Sequence, residues 1–160
     1  MDAIIKAFQT CAKTNSNNNP GYVKKPPGDT WKGTTGYDAR GHVTFENAGW
    51  GWRALLRTLS AKCNSGKCTI RAIMEDYAPA NDTEGSIPGG KPNDPLTYAI
   101  AIGQWCGIDP YADLYEVTDD RHANLLKLAC AISLYENGHH APEAHLSDII
   151  HGLMMFIGGM

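Results

Sequence analysis

A single carboxylate, Glu136, closes the apolar run Ala131-Ile132-Ser133-Leu134-Tyr135-Glu136-Asn137-Gly138, where a helical pattern meets a glycine. The last turn of a helix presents unpaired carbonyls and a partial negative charge, an unfavourable field for an acid. A half-buried carboxyl in that field should have a raised pKa, which is what a general acid needs at neutral pH. Gly138 is well placed as the left-handed residue that ends the helix and exposes the acid. The plainer reading is a solvated acid in an ordinary Glu-Asn-Gly helix stop.

Three chemistries fit these residues. Glycoside hydrolysis needs a protonated acid at the glycosidic oxygen, plus a second carboxylate or the substrate's own acetamido group. Glu136 supplies the acid, and the loop acids Glu46, Asp29, Asp38 and Asp82 could supply a second, with Glu46 the catalytic candidate among them. Trp31, Tyr37, Trp50 and Trp105 could stack on sugars. A zinc site could draw on His139, His140, Glu143, His145 and His151, but no HExxH pattern is present and no metal is expected. A cysteine nucleophile, Cys130 with a downstream histidine, would make an amidase. Cys130 lies on the inward stripe of its helix, with no helix N-terminus to hold a thiolate, which favours burial.

The elements that must position Glu136 can be read from periodicity and caps. Residues 2–12 read as an amphipathic helix with Ile4, Ile5 and Phe8 on one face. A turn-rich stretch from Thr14 to Gly41 follows, too long for a mere linker. His42 to Glu46 alternates as a short strand, with a hairpin partner near Tyr22 or Trp31. Trp52, Leu55, Leu56 and Leu59 share one face of a helix from Ala48 to about Lys62. Thr69 caps a second helix carrying Ile70, Ile73, Met74 and Tyr77, stopped by Pro79. Asp94 caps a third with Leu96, Ala99, Ile102 and Trp105 inward, closed by Gly107. Asp119 or Asp120 caps the helix that carries Leu125, Leu128, Ala129, Ile132 and Glu136. A last helix spans about Ala144 to Ile157, whose apolar end from Leu153 is a possible interface.

The 160 residues support one domain, with a net charge of −3 that gives no reason to expect nucleic-acid binding. Its organisation is an N-terminal helix over 1–16, a loop and β region over 17–46, and a helical core over 47–160. No signal-peptide pattern or membrane span is read. Of the 5 cysteines, Cys63 and Cys68 bracket a turn and can close a small disulfide, Cys106 and Cys130 read as buried thiols, and Cys11 has no assignment.

Two stretches carry a family resemblance. Leu128 to Gly138 resembles the catalytic-helix motif of the lysozyme-like superfamily, in which soluble lytic transglycosylases end an apolar helix on a catalytic Glu before Ser-Gly. Upstream, Asn18-Asn19-Pro20-Gly21-Tyr22-Val23-Lys24, Trp31-Lys32-Gly33, Val43-Thr44-Phe45 and Gly51-Trp52-Arg53-Ala54-Leu55 resemble an N-N-P-G-N…W-x-G…G-x-R-A-L pattern of phage virion-associated and endolysin-like proteins. Tyr22 stands where that pattern has Asn, and Asn137 where the transglycosylases have Ser. The catalytic helix also comes late in the chain, as a circular permutation would place it. The resemblance implies a mainly α (α+β), lysozyme-like helical domain with a small β-hairpin. It further implies cleavage of peptidoglycan between N-acetylmuramic acid and N-acetylglucosamine, with no cofactor and Glu136 as acid. Asn19, Tyr22 and Trp31 would line the saccharide groove, with Trp105 a further sugar contact. Such a protein would be made in the cytoplasm and act in the periplasm or on a virion. Virion proteins, a secretion apparatus or an immunity protein are the expected partners besides the wall. The alternatives are a non-enzymatic virion or wall-binding protein of the same fold, and a wall amidase.

Overall fold

Four helices begin at a side chain that accepts a backbone N–H, and these caps set the frame for the rest. The computed structural model describes residues 16–26, 28–80, 93–117, 120–137 and 146–159. Within them α1 is Ala48–Asn64, α2 Ile70–Tyr77, α3 Pro95–Cys106, α4 Arg121–Glu136 and α5 Leu146–Ile157. Asn47 accepts from the Trp50 amide at 3.3 Å, and Thr69 from Ala72 at 3.1 Å. Asp94 accepts from Leu96 and Thr97 at 3.1 Å, and Asp120 from Ala123 at 3.0 Å; Asp119 lies outside the described residues. Each cap satisfies an orphan donor of the first turn, for about 1 kcal/mol of stability. Gly107 ends α3 with φ 67°, a left-handed conformation that glycine adopts without a Cβ penalty.

The architecture is mainly helical with one small antiparallel hairpin. Strand β1 (Thr34–Tyr37) pairs with β2 (Val43–Phe45), in register Tyr37 to Val43 and Thr34 to Phe45, with an irregularity between Thr34 and Gly36. The expected strand is thus present, and its partner β1 begins just after Trp31, whose carbonyl accepts from the Thr34 amide. Thr-Thr-Gly carries no period-two apolar signal, so β1 is invisible to alternation; the turn between the strands decides the pairing. Asp38 directs that turn, accepting from the Arg40 amide at 2.8 Å and the His42 amide at 2.9 Å, with Gly41 at φ 81°. An isolated bridge between Lys24 and His42 adds the segment after Tyr22 to the hairpin edge.

Helix α4 runs through the middle of the core. Leu125, Leu126, Leu128, Ala129, Cys130, Ala131, Ile132 and Ser133 are all buried, so it is enclosed on almost every side, as an all-round apolar helix must be. Helix α5 lies close against α1 through glycines: a Cβ on Gly152 would fall 2.5 Å from the Trp52 Cβ. A smaller cluster of Val43, Phe45 and Ala54 sits under the hairpin, and Trp31 packs against both clusters.

Helix α3 departs from expectation. Tyr98, Ala99, Ile102 and Gly103 are its buried residues, whereas Leu96 and Trp105 are exposed. The returning chain presses on Gly103, where a Cβ would lie 2.8 Å from the Ile108 carbonyl oxygen and the Pro110 ring. That close approach, rather than the largest apolar side chains, turns this face inward. Cys63 and Cys68 form a disulfide between the end of α1 and the start of α2. Cys130 is buried, and burial pushes the half-buried Cys106 thiol up to about 12. The expected N-terminal helix, Cys11, Asp82, Gly138 and the histidines from His139 to His145 lie outside the described residues. On α5, Leu146, Ile150, Met154 and Ile157 are exposed. Among the described residues no helix is long and apolar enough to cross a membrane.

Candidate active site

The segment Asn17–Tyr22 is clamped to four elements, and this clamp joins the hairpin to the end of α4. Asn18 adopts φ 54° and donates to the Phe45 carbonyl at 2.9 Å, while the Phe45 amide donates to Asn17 at 2.9 Å. Asn19 is fully buried, its amide donating to the Val23 and Val43 carbonyls at 2.9 Å and accepting from the Val23 amide at 2.8 Å. Gly21 passes so close to α1 and α2 that a Cβ would lie 2.7 Å from Leu55 and from the Tyr77 hydroxyl, which donates to the Gly21 carbonyl. Gly51 must be glycine for the same reason, because its Cβ would fall 2.0 Å from the Asn18 carbonyl oxygen. The Asn137 amide then ties the Pro20 carbonyl, at 3.1 Å, to the residue after Glu136.

Glu136 is the final residue of α4 and is half-buried. The buried Tyr98 of α3 donates its hydroxyl to Glu136 Oε1. Burial pushes the Glu136 carboxyl above its usual range, opposed by the Tyr98 hydrogen bond and by the charge of His42. Desolvation is therefore the main cause of the raised value, where the sequence had pointed to the helix-end field. Burial, and then the neighbouring Glu136 charge, push the Tyr77 and Tyr98 phenols well above their usual range, so both remain donors. Beyond Tyr98 an aromatic row continues. Its ring stacks on Tyr135 at 3.9 Å between centroids, and Tyr135 meets Trp105 at 5.9 Å. Trp105 is 41% exposed, so the row runs from the carboxyl to solvent.

On the hairpin side, His42 Nδ1 lies 2.9 Å from Asp38 Oδ2, and the Tyr22 ring meets the imidazole edge-on at 5.1 Å. Tyr22 holds φ 49°, a left-handed conformation costly for an aromatic residue. Burial raises the Asp38 carboxyl, but hydrogen bonds from His42, Arg40 and Asn17 together lower it to about 2. Asp38 is therefore an anion at any ordinary pH.

The residues singled out from sequence fare differently in this geometry. Glu136 and Tyr22 stand on the two sides just described, and Trp105 ends the aromatic row. Asn19 has no surface to offer a ligand; its amide builds the clamp. Trp31 is half-buried, donates its indole N–H to the Lys24 carbonyl at 3.0 Å, and packs as a core aromatic. Glu46 is exposed just beyond β2, and its backbone amide donates to the Gly33 carbonyl at 2.8 Å. Among the described residues its carboxyl makes no hydrogen bond or ion pair, and nothing links it to Glu136. Trp50 carries the Arg53 guanidinium 5.7 Å from its ring centre, and Tyr37 is exposed. His151 is exposed, and no group of three metal-ligating side chains occurs among the described residues.

Sequence reasoning missed Tyr98 and His42. Tyr98 falls on a helical face whose orientation was misjudged, and His42 read only as the first residue of a strand. No family model and no curated protein matches the chain.

Proposed function

We propose that the chain cleaves the glycan strands of peptidoglycan, with Glu136 as general acid in a lysozyme-like helical domain. The observation that carries this reading is the half-buried Glu136, bonded at Oε1 to a phenol and raised by burial. A carboxyl raised in this way is suited to donate a proton, and Oε2 is left to carry it. The aromatic row from Tyr98 to Trp105 supports a carbohydrate substrate, because sugar faces stack on aromatic rings beside the acid that acts on them. The motif resemblance narrows that substrate to peptidoglycan.

In the reaction, Glu136 gives its proton to the glycosidic oxygen as the bond from that oxygen to the anomeric carbon breaks. An incoming hydroxyl, from water or from the sugar itself, then closes on that carbon. Glu136→Gln keeps the shape of the site and removes the acid. Purified peptidoglycan digested with each protein, with products read by mass spectrometry, tests the proposal. Disaccharide-peptides from wild type alone support it, and anhydro ends would mark a transglycosylase. Released peptides with intact glycan would identify an amidase instead. Wall binding without cleavage by either protein would leave a binding module of the same fold.

A further inference from the structure

The hairpin joined by the clamp to the end of α4 carries an imidazole that the motif resemblance does not name. His42 sits at the edge of β2, its Nδ1 held 2.9 Å from Asp38 Oδ2, with its side chain 15% exposed. Asp38 is itself fixed by the Asn17 amide at 2.9 Å and by the turn amides of Arg40 and His42, so the imidazole cannot swing freely. With Nδ1 taken, Nε2 is the nitrogen left, and among the described residues it has no hydrogen-bond partner. The Tyr22 ring walls one side of the imidazole, in a strained backbone conformation of the kind that persists where surroundings over-determine it. The clamp then runs from Tyr22 back through Pro20 to Asn137, the neighbour of Glu136.

We infer that His42, held by Asp38, is the second proton-handling group of the Glu136 site and takes the proton of the attacking hydroxyl. This rests on the glycan-cleaving reading of Glu136. The oxygen of that hydroxyl bonds to the anomeric carbon while its proton passes to His42 Nε2. The bond to the leaving oxygen breaks, and that oxygen takes the proton from Glu136 Oε2. The site is left with an imidazolium and a carboxylate, and return of one proton from His42 to Glu136 through solvent resets it. An ionised Asp38 suits this role, since it fixes the ring tautomer and stabilises the imidazolium that forms. Tyr98 from α3 donates to Glu136, whose carboxyl also feels the charge of His42 on the hairpin and acts on the Tyr77 phenol of α2; Asp38 and Tyr22 contact His42.

The test uses the full chain and its His42→Gln and Asp38→Asn variants, beside Glu136→Gln. On a glycan oligomer, His42→Gln should lose about 10²- to 10⁴-fold in kcat with little change in KM. The rise of activity that follows imidazole deprotonation should vanish from its pH profile. Asp38→Asn should lose less and keep that limb at a lower pH. A substrate-free titration of the ¹³C-labelled Glu136 carboxyl runs alongside, and its midpoint should move up in His42→Gln. Unchanged kcat and pH profile in a folded His42→Gln protein, with Glu136→Gln inactive, would overturn the inference and leave the acid assignment standing. If wild type cleaves no glycan, the functional reading fails and the proton-transfer role of His42 fails with it. In that case the titration still reports whether the two groups are paired.

Discussion

Replacing Tyr98 with Phe removes one oxygen from the site and leaves the ring in place on Tyr135. The lost hydroxyl donates to Glu136 Oε1, so the two ionisation states of the acid feel its removal differently. A hydrogen bond to a charged group contributes about 1.5–3 kcal/mol, and one between neutral groups about 0.5–1.5 kcal/mol. Tyr98→Phe should then cost roughly 1 kcal/mol of stability with Glu136 protonated and roughly 2 kcal/mol with it ionised. The bond favours the carboxylate, so without it the Glu136 carboxyl, already raised by burial, rises further. A carboxyl raised by folding contributes stability that is fully present below its unfolded pKa. That stability is lost as pH climbs through the folded value. In Tyr98→Phe the loss is larger and extends to higher pH. Guanidinium unfolding at acid and mildly alkaline pH, on wild type, Tyr98→Phe, Glu136→Gln and the double variant, reads these quantities directly. The penalty of Tyr98→Phe should grow by roughly 1 kcal/mol toward alkaline pH and become pH-independent in the Glu136→Gln background. An equal penalty at both pH values in both backgrounds would refute the bond between the phenol and the acid.

Gly51→Ala should destabilise by more than about 2 kcal/mol, despite the usual ~1 kcal/mol helix advantage of Ala. The new Cβ would collide with the Asn18 carbonyl oxygen at 2.0 Å; thermal unfolding checks the loss, and glycan cleavage should fall as the clamp shifts. Tyr22→Asn should raise stability by about 1 kcal/mol, because asparagine tolerates the left-handed region that Tyr22 occupies at φ 49°. An unaltered or lowered denaturation midpoint would show that the tyrosine ring contributes more than its backbone costs. Asp38→Asn should remove about 1 kcal/mol at neutral pH, a modest figure because the carboxyl is partly open to water. Held down to about 2, Asp38 stabilises the fold above its ordinary range and ceases to as pH falls through that value. Wild type and variant should therefore converge in stability on acidification.

Local rules made much of the helical frame legible from sequence. Thr69, Asp94 and Asp120 cap where short polar side chains precede apolar periodicity, and Gly107 ends α3 in the left-handed conformation that its position suggests. The core faces of α1, α2 and α4 were readable because Leu55, Leu59, Ile73 and Leu128 recur at helical spacing. Glu136 stood out for the same reason, as the lone acid ending an apolar run. These signals act within about four residues, the reach of a helical turn.

What surrounds Glu136 is set by contacts between distant parts of the chain. Tyr98 reaches it across 38 positions, and Asn137 holds Pro20 across 117. Nothing in the local pattern of α3 says that Tyr98 faces in while Leu96 and Trp105 face out; the approach of Pro110 to Gly103 decides it. The pairing of β1 with β2 follows from the turn that Asp38 builds, not from strand alternation. The glycines and asparagines near residue 20 read as a turn-rich stretch, yet Gly21 there and Gly51 on α1 are needed because the two segments meet without room for a Cβ. The identity of the acid is local chemistry. Its ionisation depends on burial and on neighbours from other elements, and so only the tertiary structure decides it.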